Sequence, residues 1–392
     1  MRNSLPTLLL LALMAVLARG LSAQIDPFAP GPPEKTPEQE NLEELLTGCW
    51  NLMAYNSPSN QIDPNSITCF LTFQDGFSSI WWSATTRRPD TFADLVETPV
   101  VQAEIRRYRV SEFLKLQMVA SQRFDNLSGE LIVNGPREPL EYDLTIDSGS
   151  DEMTLLRVDG TRMIFRRVES KGFPRSALTR LGVNDPLDVK EPKKEEPDEK
   201  ETPKKKGTDS TGDAELDALL AKIGQEDETE EEKLVKRLLG CWTLKDYVGR
   251  DTSIAPKSVQ AFLTFQDGFS TIWWSARKFE TSYLGSQEEA QLVQSEVRRF
   301  RISEFGDLQM APLHTVENLA GPLALNARRQ PIEYTLEFDE ETKELILSRG
   351  DGSRMTFAKS AALRFPQAAI DRLTETRGGR VEVLPGAIPR RR

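Results

Sequence analysis

Apolar and polar residues alternate through two nearly identical stretches of the chain, residues 70–84 and 262–276. In the first copy an Asp-Gly pair, Asp75-Gly76, separates two apolar runs, and this pair suits a two-residue turn in which both residues have positive φ. The pattern therefore predicts a β-hairpin in which alternate residues share a face. The predicted inward set is Cys69, Leu71, Phe73, Ser78, Ile80, Trp82 and Ala84, and the outward set is Phe70, Thr72, Gln74, Phe77, Ser79, Trp81 and Ser83.

The outward face is polar except for an aromatic cluster in which Phe70 lies opposite Trp81. Soluble proteins restrict exposed apolar patches of this kind, so we expect a cover over it. The nearest candidate is a short helix predicted after Phe173-Pro174, at residues 175–181. The other copy of the hairpin and a separate protein partner are the alternatives.

Further alternating segments bring the count to about nine predicted strands in each copy. The segments between residues 86 and 103 lack this alternation and are predicted to form a long connection with a helical turn near residues 92–96. A sheet with one apolar face and short connections removes its exposed edges by closing into a barrel. The additional strands in the first copy are predicted at residues 104–111, 114–119, 129–133, 140–146, 153–158 and 162–168.

The two copies keep a constant offset of 192 residues, from Trp50 and Trp242 to Tyr142 and Tyr334. Residues 190–213 contain almost no apolar side chains and cannot form a core. The predicted fold is all-β, with two tandem antiparallel up-and-down β-barrels, each with short flanking helices, joined by a disordered charged linker. The predicted segments are a signal peptide at 1–23, a Pro-rich leader at 24–35, barrel 1 at 36–183, a linker with one short helix at 184–227, barrel 2 at 228–375 and a basic tail at 376–392.

The N-terminal segment predicts export. Arg2 precedes an apolar run at residues 8–17 and small residues at 21–23, which is typical of a cleaved secretory signal, so we expect a secreted or periplasmic protein. No later apolar run approaches the roughly 20 residues that a membrane-spanning helix needs. The net charge of −11 argues against a nucleic-acid partner.

Three cysteines in an exported chain cannot all pair within one molecule. Cys69 belongs to the predicted inward set and is expected to be a core thiol. Cys49 and Cys241 each precede an inward tryptophan and should therefore point outward. A bridge between Cys49 and Cys241 is left open by this argument.

The strand that opens each unit carries a short motif, because residues 48–50 and 240–242 both read Gly-Cys-Trp after a predicted helix. This motif resembles the Gly-x-Trp signature of lipocalin-like (calycin) barrels. The resemblance implies that the tryptophan closes one end of the barrel and stacks with a basic residue on the last strand. The matching positions are Trp50 with Arg167 and Trp242 with Lys359.

Catalytic and metal-binding patterns are absent from the sequence. The single histidine, His314, corresponds to Gln122 in the first copy and is interpreted as a loop residue. No nucleophile, thiol-pair or phosphate-loop motif is present. We therefore predict no catalytic residue, no metal site and no cofactor.

A ligand site is predicted from strand parity, since Arg106 shares the inward face with Tyr108 and Val110. An inward arginine near the mouth of a barrel can hold a carboxylate by charge-assisted hydrogen bonds. The alternative is that Arg106 pairs with Glu104 and only seals the barrel. The candidate ligand-binding residues are Trp82, Arg106 and Tyr142 in the first copy and Trp274, Arg298 and Tyr334 in the second.

The leading expectation is an exported, non-enzymatic protein that binds a small, partly apolar molecule, with carboxylates as the favoured class. The second interpretation is an extracellular or periplasmic interaction module whose barrels are filled and whose outer aromatic face holds a protein partner. An enzyme on the same fold is the third. Cavity volume separates the first two, because a barrel packed with side chains leaves no room for a ligand.

Overall fold

The computed structural model of the protein describes residues 35–58, 62–89, 95–135, 137–169, 172–182, 228–281, 286–326, 329–360 and 365–378. The predicted signal peptide, the leader up to residue 34, the linker helix and the tail beyond residue 378 lie outside these residues. Among the described residues, no helix has the length and apolar character needed to cross a membrane.

The first unit is a closed antiparallel barrel, as predicted; eight strands form the ring, and a short ninth strand pairs beside it. Strand β6 pairs only with β5, and the ring closes where β4 pairs with β5. The helices are α1 (Pro37–Leu46) and α2 (Arg175–Arg180), and the strands are β1 (Gly48–Asn56), β2 (Thr68–Gln74), β3 (Phe77–Pro89), β4 (Leu95–Val110), β5 (Lys115–Asp125), β6 (Ile132–Val133), β7 (Leu140–Asp147), β8 (Glu152–Arg157) and β9 (Arg162–Arg167).

The second unit repeats this barrel with the same strand order, so the chain contains two closed barrels in tandem. Its helices are α3 (Glu230–Leu238) and α4 (Gln367–Gly378). Its strands are β10 (Gly240–Val248), β11 (Gln260–Gln266), β12 (Phe269–Thr281), β13 (Gln287–Ile302), β14 (Leu308–Glu317), β15 (Ala324–Leu325), β16 (Ile332–Asp339), β17 (Glu344–Ser348) and β18 (Arg354–Lys359).

The predicted hairpin is confirmed in its turn and in its register. Asp75 has a φ of 51° and Gly76 a φ of 77°, the left-handed values that the turn requires. Gln74 pairs with Phe77, and the ladder continues to Cys69 opposite Trp82. The inward and outward sets are therefore those read from the alternation.

The predicted connection at residues 86–103 is wrong over most of its length. Strand β3 continues to Pro89, and β4 begins at Leu95 and pairs with it throughout. The predicted helical turn near residues 92–96 falls partly on this strand and partly on residues 90–94, which lie outside the described residues. These strands contain charged residues and two prolines, so they lack the apolar alternation from which a strand is predicted.

The outward aromatic residues lie under cover, and the cover is the second barrel. Phe70 and Trp81 are almost fully buried in a cluster shared by both barrels. The ring of Phe70 lies 5.3 Å from that of Phe269, and the ring of Phe77 lies 5.2 Å from that of Phe262. Helix α2, the preferred candidate, contributes no residue to this cluster.

The segments that follow each barrel reach the opposite barrel. The guanidinium of Arg301 in the second barrel lies 5.4 Å from the ring of Phe173, which follows the first. Reciprocally, Arg109 in the first barrel lies 5.3 Å from the ring of Phe365. The two barrels therefore dock through reciprocal contacts, in which the Phe-Pro segment that follows each barrel contacts the other barrel.

All three cysteines are free and buried. Cys69 lies in the core of the first barrel as predicted. Cys49 and Cys241 lie between the barrels, where their thiols donate to the carbonyl oxygens of Gln266 and Gln74. The bridge that the sequence left open is not formed.

Candidate functional site

Three inward side chains of the first barrel come from neighbouring strands at one end. Trp82 pairs with Gln102 across β3 and β4, and Arg106 lies further along the same face of β4. Tyr142 reaches the same space from β7, where it pairs with Leu116 of β5. The register of β4 against β5 shifts between Ile105 and Arg106, so a bulge adjoins the arginine.

These side chains line a cavity of about 430 Å³ inside the first barrel. Its volume falls within the range of about 300 to 1,000 Å³ that is usual for small-molecule sites. The wall is apolar over much of its area and carries a few polar groups. The apolar part includes Leu71, Ile80, Met118, Leu155, Met163 and Phe165, and the polar part includes Gln102, Arg106, Arg137 and Tyr142.

The second barrel encloses a cavity of about 310 Å³ at the equivalent place. Trp274, Arg298 and Tyr334 line it, as their counterparts line the first. The structure thus places all six predicted ligand-binding residues around two cavities, three in each barrel.

The guanidinium of Arg106 lines the cavity and also forms an ion pair inside the barrel. Its Nε donates to Glu104 at 2.5 Å, and Arg137 approaches the other oxygen of the same carboxylate at 2.7 Å. Tyr142 lies near the same guanidinium and, after Glu104, contributes to the raised pKa of Arg106. The structure therefore contains both the ion pair with Glu104 and a cavity lined by Arg106. Pairing with Glu104 does not exclude a role of Arg106 in ligand binding.

The electrostatics keep both partners of this pair ionised. Burial alone would raise the pKa of Glu104, but Arg106 and Arg137 outweigh it and hold that pKa below its usual value. Burial would lower the pKa of Arg106, but Glu104 and Tyr142 more than offset it and the pKa is raised. A buried carboxylate and a buried guanidinium thus face each other as charges within the barrel.

The second barrel contains the same pair with a different surrounding. Arg298 donates to Glu296, and Arg329 lies 3.2 Å from the other oxygen of that carboxylate. Arg329 also pairs with Glu317. Each guanidinium in this group therefore has a buried or half-buried carboxylate beside it.

Trp50 is fully buried near the start of β1 and does not line the cavity. The guanidinium of Arg167 lies 4.4 Å from the Trp50 ring and donates to the carbonyl oxygens of Leu45 and Thr47 at 2.6 Å each. The indole N–H of Trp50 donates to Leu46 at the end of α1. The helix, the tryptophan and the last strand are thus joined at one point.

The equivalent contact in the second barrel is looser. The ammonium of Lys359 lies 5.5 Å from the ring of Trp242, whose indole N–H donates to Leu238. The residues to which the resemblance assigned barrel closure therefore meet in both units.

Sequence reasoning missed Arg137 and Arg123. Arg137 reaches the cavity from the loop between β6 and β7, where no periodic pattern predicts its direction. One signal was available, because an arginine recurs at the equivalent position 329. Arg123 lies on β5 beyond the bulge, where the register shift changes the parity.

The predicted loop histidine, His314, lies instead on strand β14. Pro312 lies two residues before it, and the register of β13 against β14 shifts beside this proline, which interrupts the alternation that would predict a strand. His314 faces the first barrel and takes no part in either cavity. Among the described residues, no group of three or more His, Cys, Asp or Glu side chains is placed to hold a metal ion.

Comparisons of the chain with models of protein families, with curated proteins and with solved structures found no match. The two closed eight-stranded antiparallel barrels agree with a calycin-like architecture at the level of the fold.

Proposed function

We propose that the two barrels are lipocalin-like binding modules that hold small, partly apolar molecules without catalysing a reaction on them. Their eight strands, the Gly-Cys-Trp opening of the first strand and the basic residue over each tryptophan support the family resemblance. The family assignment itself rests on these features together, since each is short or general.

The observation that carries the proposal is the composition of the first cavity. Apolar side chains and Trp82 line the cavity together with the guanidinium of Arg106, which is held by its ion pair with Glu104. Apolar walls with a few fixed polar groups are typical of small-molecule sites, because the wall supplies affinity and the polar groups supply orientation. A carboxylate bound beside Arg106 and Arg137 is the favoured ligand chemistry.

The outer aromatic face does not support the alternative of a protein partner at that surface. Phe70, Trp81, Phe262 and Trp273 are all buried in the cluster between the two barrels. A partner at this face would have to displace a whole barrel, so we do not propose it.

The proposed location is outside the cytoplasm, in a secreted or periplasmic compartment. The support comes from the sequence of residues 1–23, which lie outside the described residues. Sequencing the N-terminus of the mature protein tests this point, with Gln24 as the expected first residue.

Binding is tested by filling each cavity in turn. Cys69 and Ala261 occupy equivalent positions and line the first and second cavities. Native mass spectrometry of protein purified without delipidation should show a consistent added mass, and Cys69→Trp or Ala261→Trp should each remove the share held by its own barrel. A matched aromatic addition at Val158, which is 96% exposed, should remove none.

Loss of structure is separated from loss of binding by the melting curve. Overpacking costs typically about 1 to 3 kcal/mol, which a stable barrel can tolerate. A protein that melts cooperatively, carries no added mass and binds nothing from a panel of carboxylates and their amides would contradict the proposal.

A further inference from the structure

Hydrogen bonds at the start of each first strand occur in equivalent pairs across the two barrels. The thiol of Cys49 donates to the backbone carbonyl oxygen of Gln266 at 3.7 Å. With the roles of the barrels exchanged, the thiol of Cys241 donates to that of Gln74 at 3.6 Å. Residues 49 and 241 are equivalent in the repeat, as are residues 74 and 266. Contacts that recur in this way define an isologous, two-fold interface, in which each partner offers the same surface.

The side-chain amides of the two glutamines add a second equivalent pair. Oriented so that both of its ends are satisfied, the amide of Gln74 accepts from the backbone N–H of Gly240 at 2.8 Å. The amide of Gln266 accepts from the backbone N–H of Gly48 at 2.7 Å. Each amide also donates to the carbonyl oxygen of a phenylalanine of the facing barrel at 3.0 Å. The hairpin turn of each barrel therefore lies against the start of the first strand of the other.

The glycine that begins each first strand leaves room for this turn. A Cβ atom on Gly240 would lie 3.2 Å from Oδ2 of Asp75, as well as against the lysine of its own barrel. A Cβ atom on Gly48 would lie 3.7 Å from Oδ2 of Asp267, as well as against the arginine of its own barrel. Both glycines also have positive φ, which residues with a side chain rarely adopt. The Gly-Cys-Trp motif thus contributes to docking as well as to the interior of its own barrel.

The phenylalanine contacts follow the same rule. The ring of Phe70 lies 5.3 Å from that of Phe269. The ring of Phe77 lies 5.2 Å from that of Phe262. Residues 70 and 262 are equivalent in the repeat, as are residues 77 and 269. Each barrel therefore carries both members of the phenylalanine pair that it forms with the other.

We refer to these residues as the docking face of each barrel. The docking face consists of Gly48, Cys49, Phe70, Gln74 and Phe77 in the first barrel and of the same residue types 192 positions later in the second. One hydrogen bond beside the face has a different residue at the acceptor position, because Gln260, which accepts from Asn134 at 3.2 Å, corresponds to Thr68. The face itself is identical in the two barrels.

The tryptophans beside the docking face have different neighbours in the two barrels. Trp81 stacks on His314 of the second barrel, whereas Trp273 lies 6.4 Å from Phe124 of the first. Two second barrels that paired in the same way would bring Trp273 of each onto His314 of the other. Two first barrels would bring Trp81 of each near Phe124 of the other. Both pairings of like barrels thus reuse a contact that the structure already contains.

We propose that the docking face of each barrel is self-complementary and binds a second copy of the same barrel, so that two chains pair through like barrels when their own faces are separated. In the intact chain the two faces satisfy each other first, because covalent linkage makes that pairing intramolecular. An unrelated protein would have to displace a barrel without replacing its contacts. A like barrel supplies the same glycine, thiol, amide and phenylalanines, and so restores each of them.

Disabling one face in the full chain tests this proposal. Phe70 and Phe77 belong to the cluster between the barrels and not to the core of their own barrel. Because an unpaired charge is costly to bury, Phe70→Glu/Phe77→Glu should undock the barrels and leave both folded. The intact faces of the second barrels should then pair between chains, and light scattering after gel filtration should give twice the mass of one chain. Phe262→Glu/Phe269→Glu should likewise dimerise through the first barrels, while the wild type should be a single chain.

Two controls accompany these variants. All four substitutions together should give a single chain, since no intact face is left. Phe113→Glu/Phe305→Glu places the same charges outside the docking face, on phenylalanines that are 61% and 83% exposed, and should also give a single chain. Circular dichroism and melting curves of all variants establish that they are folded.

The outcomes decide the proposal without reference to any ligand. Dimers of both one-face variants, together with a single chain for the variant with four substitutions, support it. Folded single chains for both one-face variants overturn it, and so do larger aggregates in place of dimers or a dimer that persists with all four substitutions. If Phe70→Glu/Phe77→Glu does not fold, Gln74→Arg makes the same test from the turn, where the Gln74 amide bonds to the opposite barrel, and the same outcomes apply.

Discussion

Trp81 of the first barrel stacks on His314 of the second, with ring centroids 4.8 Å apart and an interplanar angle of 26°. The equivalent contact is not repeated, because Gln122 stands where the second copy has His314. Instead Trp273 lies 6.4 Å from Phe124. The interface between the barrels is thus reciprocal in its phenylalanine contacts and asymmetric at this pair, which gives it one titratable ring.

The shared aromatic cluster should make the stability of each barrel depend on the other. Phe70 is 2% exposed and packs on Phe269, so Phe70→Ala should lower the free energy of unfolding by about 3 to 5 kcal/mol. Urea denaturation of the full chain measures this loss. Phe305→Ala removes the same side chain at a position that is 83% exposed and should change the stability by less than about 0.5 kcal/mol.

Cleavage of the linker provides a second readout of the same interface. After a cut between residues 190 and 213, the two halves should elute together from a gel-filtration column, since each would otherwise expose its aromatic face. Separate elution of two stable halves would show that the docked arrangement contributes little.

The stability of the protein should fall as the pH drops below about 6.5 because of His314. Burial lowers the pKa of His314 in the folded protein. The unfolded state therefore binds the proton first, so the stabilisation by the neutral ring is complete above the unfolded pKa and is lost as the pH falls toward the folded one. His314→Gln, which introduces the residue found at position 122, should flatten the decline between about pH 7 and pH 5.

Urea denaturation of both proteins at a series of pH values measures the effect. At lower pH the free energy of unfolding should fall more steeply in both proteins alike, because the carboxylates that titrate there are the same in both. Parallel curves for wild type and His314→Gln throughout the pH range would exclude the histidine as the cause.

The sequence predicts those features that local periodicity determines. The turn at Asp75-Gly76 sets the register of the hairpin, and that register places Trp82 inside and Trp81 outside. The same alternation brings Arg106 to the cavity, since every second residue of β4 faces inward. The closed barrel follows because an antiparallel sheet with one apolar face has exposed edges to remove.

The features that the sequence does not predict depend on contacts between distant segments. Nothing local indicates that Phe70 meets Phe269, because an outward aromatic face fits a helix, a barrel or a partner equally well. Arg137 arrives from a loop, and His314 lies beside a bulge where the alternation is interrupted. Bulges and loops change the direction of side chains without changing composition, so parity fails beyond them.

The stability of the first barrel should depend strongly on Trp50, which is fully buried. Trp50→Ala should lower the free energy of unfolding by about 3 to 5 kcal/mol. Arg167→Met keeps much of the stem over the ring but leaves the carbonyl oxygens of Leu45 and Thr47 without their donor, so we expect a smaller loss of about 1 to 3 kcal/mol. Val158→Ala at an exposed position is the control, and an equal loss for all three would contradict this account.

The charge cluster in the first cavity should depend on its central carboxylate, Glu104. Its side chain is fully buried and lies against both Arg106 and Arg137. Glu104→Gln would leave these guanidiniums without a carboxylate between them, and removal of one partner from a buried pair costs about 3 to 5 kcal/mol. Because the pKa of Glu104 is lowered in the folded protein, its stabilisation is present above its unfolded pKa and is lost as the pH falls through the folded one.

The matched control is Glu152→Gln, which breaks the exposed pair with Arg166 at 2.8 Å. Such surface pairs contribute about 0 to 1 kcal/mol, so the control should unfold almost as the wild type does. The double variant Glu104→Gln/Arg106→Met removes both members of the buried pair and should recover part of the stability, since fewer charges are then left uncompensated. A single variant that is as stable as the control would mean that water reaches the cluster and screens it, and the cavity would then have no strong preference for charge.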